Sequence, residues 1–312
     1  MRSLARIAAL LSGCVLLAAA PPVTAGAART APVPPAGGAG AAAGAPGAGP
    51  RPVAGVRAGR YVALGDSFTA GPLITLPPGE NPGCLRSSLS YPVLVAHALR
   101  MPYTDASCSG AQTRHMTEAQ IFPGPNKPQF DSLTRDTTLV TVGIGGNDIG
   151  FTEIVLTCGL LSPTDPKGDP CRRHYAPAGG GDRLARRIAV TSRRIDRVLH
   201  GIRVRSPHAR ILLVGYLRVL PPARGCYPDV PVAAGDVPYL DGIERRLNAM
   251  LAARAAANRV TFVDVYDPGH DVCAPASVRW VEGVFKAKGY PVHPNAAGMR
   301  ATADRILAVL SR

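Results

Sequence analysis

Residues 60–71 read RYVALGDSFTAG. Val62, Ala63 and Leu64 are apolar in succession, without the polar alternation of a half-exposed strand, and Gly65-Asp66-Ser67 then breaks the run. A short apolar run closed by a glycine turn is how a strand buried on both faces reads in sequence. Runs of the same kind recur at 103–106, 139–144, 211–214 and 260–265. Helical patterns lie between them. In DRLARRIAVTSRRIDRVLHGIR, residues 182–203, Leu184, Ile188, Ile195, Leu199 and Ile202 share one face, arginines cover the other, and Asp182 stands where a cap belongs. Further helices are expected over about 239–257 and 294–310. Strands alternating with helices of this length specify an α/β fold, a three-layer sandwich with a central parallel sheet.

In such a sheet, ligands bind beyond the carboxyl ends of the strands. Gly65-Asp66-Ser67 sits at one of those ends, although taken alone it would read as no more than a cap for the next helix. Three other segments reach the same edge. TLVTVGIGGNDIG, 138–150, ends in glycines and offers Asn147 and Asp148; DASCSGAQT, 105–113, surrounds Gly110 with small residues; PVHPNAAG, 291–298, delivers His293 before a helix. A serine hydroxyl becomes a nucleophile when an imidazole accepts its proton, and its attack on an ester creates an oxyanion that needs fixed donors. Glycine lets a backbone N–H approach the substrate unobstructed, and an asparagine amide supplies a side-chain donor. These are the parts of an acyl-transfer site.

The blocks GDSFTAG, SGAQT, GGND and HPNAAG, in that chain order, resemble the SGNH or GDSL hydrolases, and the resemblance spans residues 60–312. It implies a flavodoxin-like sheet, Ser67 as nucleophile and His293 as general base and then acid. It also implies an oxyanion hole of the Ser67 N–H, the Gly110 N–H and the Asn147 amide, with no metal or other cofactor. The insert TCGLLSPTDPKGDPC, 157–171, resembles the secreted bacterial lipase and esterase members. Many members carry an aspartate three residues before the histidine, and this chain has Tyr290 there. The second nitrogen of His293 still needs an acceptor, and the Pro291 main-chain carbonyl is the nearest that the local chain supplies. Asp267, Asp271 and Glu282 are the competing carboxylates, and His270 is a rival base. The G-x-S-x-G elbow of α/β-hydrolases and the H-E-x-x-H zinc motif are both missing from the sequence.

The first residues, MRSLARIAALLSGCVLLAAAPPVTAGA, combine two arginines, an apolar run and an A-x-A ending, the form of a secretory signal peptide cut after Ala27. A lipoprotein leader ending at Cys14 competes with this reading, but the apolar run continues past Cys14 as VLLAAA. Residues 28–59 are almost entirely Ala, Gly and Pro, the composition of a disordered linker. Six cysteines remain after the leader: Cys84, Cys108, Cys158, Cys171, Cys226 and Cys273. They allow fifteen pairings; pairing in chain order closes three local loops and is like that of the secreted family members.

The formal net charge is +14, with 35 basic residues against 21 acidic. No nucleic-acid-binding module accompanies it, and abundant Ala, Gly and Pro point to a GC-rich coding bias behind the arginines. The expected partner is therefore a small-molecule or lipid ester, with transient contact to an anionic or lipid surface and no nucleic acid, and the expected state is a monomer. Phe68, Leu73, Ile74, Phe151, Ile154 and Leu156, expected in loops after the first and third strands, are candidates to line an acyl groove and equally candidates for core packing. A polysaccharide acetyl esterase and a non-catalytic basic surface-binding protein on a hydrolase scaffold are the alternatives.

Overall fold

The computed structural model describes residues 59–122, 124–285 and 287–312. The expected leader with Cys14, and the linker apart from Gly59, lie outside the described residues. Five strands, β1 (Arg60–Gly65), β2 (Tyr103–Asp105), β3 (Thr137–Gly143), β4 (Arg210–Val214) and β5 (Thr261–Val263), form one parallel sheet in the order β2-β1-β3-β4-β5. Each expected strand is present within two residues of its expected ends. This order reverses direction at β1, which makes the carboxyl ends of β1 and β3 the topological switch point where open α/β sheets bind ligands.

Strand β1 is buried from Tyr61 onward because each of its faces meets a different helical layer. Val62 and Leu64 join a core cluster with Ile188, Ile195, Leu199, Leu247 and Leu251. Tyr61 and Ala63, pointing the other way, join Tyr91, Val95, Met299 and Ile306. Among the described residues seven α-helices accompany the sheet: α1 (Ser67–Ala70), α2 (Tyr91–Leu99), α3 (Phe151–Leu161), α4 (Pro170–Tyr175), α5 (Arg183–Arg205), α6 (Val237–Ala257) and α7 (Ala296–Leu310). Helix α5 begins where expected, its first amides at Leu184 and Ala185 donating to Asp182 Oδ1 at 2.9 and 3.0 Å. Each fully buried Leu or Ile on its inner face contributes about 1.5–3 kcal/mol relative to exposure.

Two expectations need correction. Residues 151–161 form helix α3, where a loop was expected; the helix is apolar nearly all round, so no 3.6-residue alternation marks it. Ile154 on it belongs to the core, the second of the two readings open to it. The last helix starts at Ala296, not at Pro294, because Asn295 Oδ1 caps the Gly298 N–H at 3.0 Å while Pro294 pairs with Val281 in an isolated bridge. Disulfides join Cys84 to Cys108, Cys158 to Cys171 and Cys226 to Cys273.

Candidate active site

The site begins where β1 stops. Gly65 has φ 156°, and a Cβ there would lie 2.6 Å from the Gly143 carbonyl oxygen and 2.2 Å from Thr69 Oγ1, so no side chain fits. Its peptide groups are held from the side by Gln129, which accepts from the Gly65 N–H and donates to the Gly65 carbonyl, both at 2.8 Å. Asp66 then caps α1, taking the Phe68 N–H on Oδ1 at 2.9 Å. Ser67 is thereby the first residue of a short helix at the end of a rigid strand, and is 5% exposed.

His293 reaches this serine from the far end of the chain. Its Nε2 lies 2.8 Å from Ser67 Oγ and its Nδ1 lies 2.8 Å from the Pro291 carbonyl oxygen. A carbonyl can only accept, so Nδ1 carries the proton and the Nε2 lone pair faces the hydroxyl, the tautomer a general base requires. The contact with Pro291 depends on a turn in which the His293 N–H donates to the Tyr290 carbonyl at 3.3 Å. Val292 occupies that turn with φ 62°, a left-handed conformation that a β-branched residue adopts only at a cost. The surroundings impose it: the Val292 N–H donates to the Glu282 carbonyl at 3.1 Å, and the Glu282 N–H to that of His293 at 2.8 Å. The imidazole is walled by the rings of Phe68, Phe151 and Tyr290, at centroid distances of 5.3, 5.6 and 4.8 Å. Burial pushes its pKa down to about 4, against the smaller, opposing effect of the bond to Pro291.

The competing carboxylates are engaged elsewhere. Asp267 pairs with Arg305, Asp271 accepts the Cys273 N–H, and Glu282 binds Arg279 at 2.9 Å; among the described residues none of these carboxylates bonds to the His293 ring. His270 stacks on Trp280 with ring centroids 3.9 Å apart and bonds through Nδ1 to the Val278 carbonyl, away from Ser67.

On the opposite side lie the donors. Among the described residues, neither the Ser67 N–H nor the Gly110 N–H has a hydrogen-bond partner, and Gly110 holds φ 78°, a conformation natural to glycine. Asn147 Nδ2 donates to the Ala111 carbonyl at 3.0 Å, which fixes the amide and leaves its second proton for another acceptor. Asp148, next along, takes the N–H and hydroxyl of Thr113 at 2.8 and 2.5 Å and Arg194 at 3.0 Å, so it ties the Gly110 segment to the Asn147 turn.

One participant was not anticipated. Tyr216 follows Gly215 at the carboxyl end of β4, and its hydroxyl donates to Asp66 Oδ2 at 2.5 Å while accepting the Gly146 N–H at 2.7 Å. Burial raises Asp66 to about 7, and the bond from Tyr216 works against that rise. Its place after a strand, in VGY at 214–216, was the available signal. Of the groove candidates, Phe68, Ile74 and Phe151 are half-buried against the second core cluster, and Leu73 is exposed.

The model of the GDSL-like lipase/acylhydrolase family matches residues 63–301. Lipase 2 of Streptomyces coelicolor is 37% identical over 257 residues, covering 80% of this chain and 85% of that protein. Among solved structures, an extracellular lipase from Streptomyces rimosus superposes with a TM-score of 0.66 and a phospholipase A1 from Streptomyces albidoflavus with 0.65. Each is 26% identical and is matched over its full length by 82% of this chain. With the four motif blocks on one sheet edge and a family match over most of the folded region, the chain belongs to the GDSL-like lipase/acylhydrolase family and is a carboxylic ester hydrolase.

Proposed function

We propose that the protein is a secreted serine lipase or esterase working through an acyl-enzyme. His293 Nε2 takes the Ser67 proton as Oγ attacks the ester carbonyl; the Ser67 N–H, Gly110 N–H and Asn147 amide receive the oxyanion; the imidazolium then protonates the leaving alcohol. Water repeats the sequence on the acyl-serine and regenerates the enzyme. The Pro291 carbonyl keeps His293 in the correct tautomer and accepts a stronger hydrogen bond once the ring is charged. The reading rests above all on the aligned Ser67–His293–Pro291 contacts, each 2.8 Å long.

The substrate is a small-molecule or lipid ester. Its acyl side meets the Phe68 and Phe151 rings beside His293. The leader at 1–27 directs export and is removed, the 28–59 segment links, and residues 60–312 act as a monomer. Three disulfides suit an oxidising compartment. A fluorophosphonate should label Ser67 alone, and Ser67→Ala should lose several orders of magnitude in ester turnover. Labelling elsewhere, or an active Ser67→Ala, refutes the assignment. A series of esters of increasing acyl length then fixes the class: turnover confined to acetyl esters would favour the polysaccharide alternative.

A further inference from the structure

Helix α5 presents its arginines unevenly. Arg193 and Arg197 stand in solvent, outside the cleft of about 370 Å³ that half-buried Arg183, Arg187 and Arg194 and exposed Arg186 line together with Val190, Thr191 and Asp148. Four guanidinium groups thus face one lining carboxylate. That carboxylate is committed, since Asp148 is held by Thr113 and Arg194. Arg187 is also committed, through a two-pronged pair with Glu153 at 2.7 and 3.1 Å. Asp182, at the start of the helix, caps Leu184 and Ala185 and also meets Tyr239 and Arg246. The surplus falls on Arg183 and Arg186, whose hydrogen bonds among the described residues go to the main-chain carbonyls of His174 and Gly180, Arg183 also feeling the Glu153 charge that Arg187 pairs with. The Arg183 guanidinium also lies over the Tyr175 ring, 5.3 Å from its centre, and its Nε is buried without a partner among the described residues.

An arginine face that merely dissolves the helix would be solvated and mobile. This one converges on a cleft and is anchored by carbonyls and an aromatic ring. Forked guanidinium groups suit planar or tetrahedral oxyanions, and two uncommitted charges match a dianion. We infer that the α5 cleft is a second, non-catalytic site that binds a phosphate group, with Arg183 and Arg186 as its principal ligands. The group is either free phosphate or the headgroup of a phospholipid.

Titration of the full secreted chain with inorganic phosphate by calorimetry tests this. Wild type is expected to saturate at one phosphate per chain. Arg183→Ala/Arg186→Ala should weaken binding roughly tenfold or more, the scale of lost charge-assisted bonds, while Arg193→Ala/Arg197→Ala, which removes the same charge from the outer face, should leave it unchanged. Arg183→Lys/Arg186→Lys keeps the charge without the fork and is expected to fall between; circular dichroism confirms that each variant is folded. Equal weakening by both alanine pairs, a lysine pair that matches wild type, or no saturable phosphate binding overturns the inference. Sedimentation with phosphatidylcholine vesicles carrying phosphatidic acid separates the two sources. Loss of vesicle binding in Arg183→Ala/Arg186→Ala alone identifies the headgroup; vesicle binding equal in the two alanine pairs, with phosphate binding lost only in the first, identifies the free ion.

Discussion

The Tyr216 hydroxyl stands between Asp66 and the Gly146 N–H, 2.5 Å from one and 2.7 Å from the other, so the turn carrying Ser67 and the turn carrying Asn147 share a single oxygen. Removing that oxygen leaves a buried carboxylate and a buried amide each short of a partner. Tyr216→Phe keeps the ring that packs on Phe68 and should lower kcat roughly tenfold or more while KM changes little, because only the positions of the reacting groups are disturbed. A kcat equal to wild type would show that the two turns hold their geometry independently.

If His293 is the general base, as proposed, its depressed pKa sets the acid limb of activity. The base must be neutral, burial disfavours the charged ring, and its folded value lies near 4. Activity is therefore retained as pH falls through the usual histidine range and lost only on passing the lowered value. In the free enzyme, kcat/KM should reach half its plateau between about pH 4 and 5. A midpoint near 6.5 would mean that the imidazole is more hydrated than its packing indicates.

If a main-chain carbonyl is the partner of His293, no carboxylate should be indispensable. Asp267→Asn, Asp271→Asn and Glu282→Gln are each expected to lose less than about tenfold in turnover, whereas a true third triad member costs about 10⁴. A loss of that size in any one folded variant would establish a displaced triad. The Glu282 change is the most sensitive to folding, since its carboxylate is buried and paired with Arg279, and its stability should be measured alongside.

Gly65→Ala tests the strand end. The added methyl would collide with main-chain oxygen at 2.6 Å and with Thr69, so stability should fall by about 1–3 kcal/mol, read as a lower urea midpoint. An unchanged midpoint would show that β1 and β3 can separate without cost.

The sheet was legible because buried parallel strands are written as unbroken apolar runs, and 61–64 and 139–144 could hardly be anything else. Helix α5 was legible because its two faces differ in polarity. Helices α2 and α3 were not: YPVLVAHAL and FTEIVLTCGLL are short and apolar on most sides, and periodicity cannot separate such segments from loops that pack inward. The serine, histidine, asparagine and glycine of the proposed site were picked out by motifs. Tyr216 was not: its place after a strand hinted at the right sheet edge, but its role comes from a contact 150 residues away in the chain with Asp66, which local pattern cannot report. The strained Val292 was equally invisible, since nothing in PVHP indicates a left-handed valine.

That left-handed valine aims a peptide carbonyl at His293, and a carbonyl belongs to the backbone that every residue shares. A codon change can delete an aspartate but cannot delete a main-chain oxygen. In a saturation survey of this chain, the proposed proton relay would therefore register as two intolerant side chains, Ser67 and His293, beside the oxyanion donor Asn147 and with no indispensable carboxylate partner of the histidine. The hidden third contributor would surface only as a diffuse sensitivity of positions 290–292 to anything that reshapes the bend.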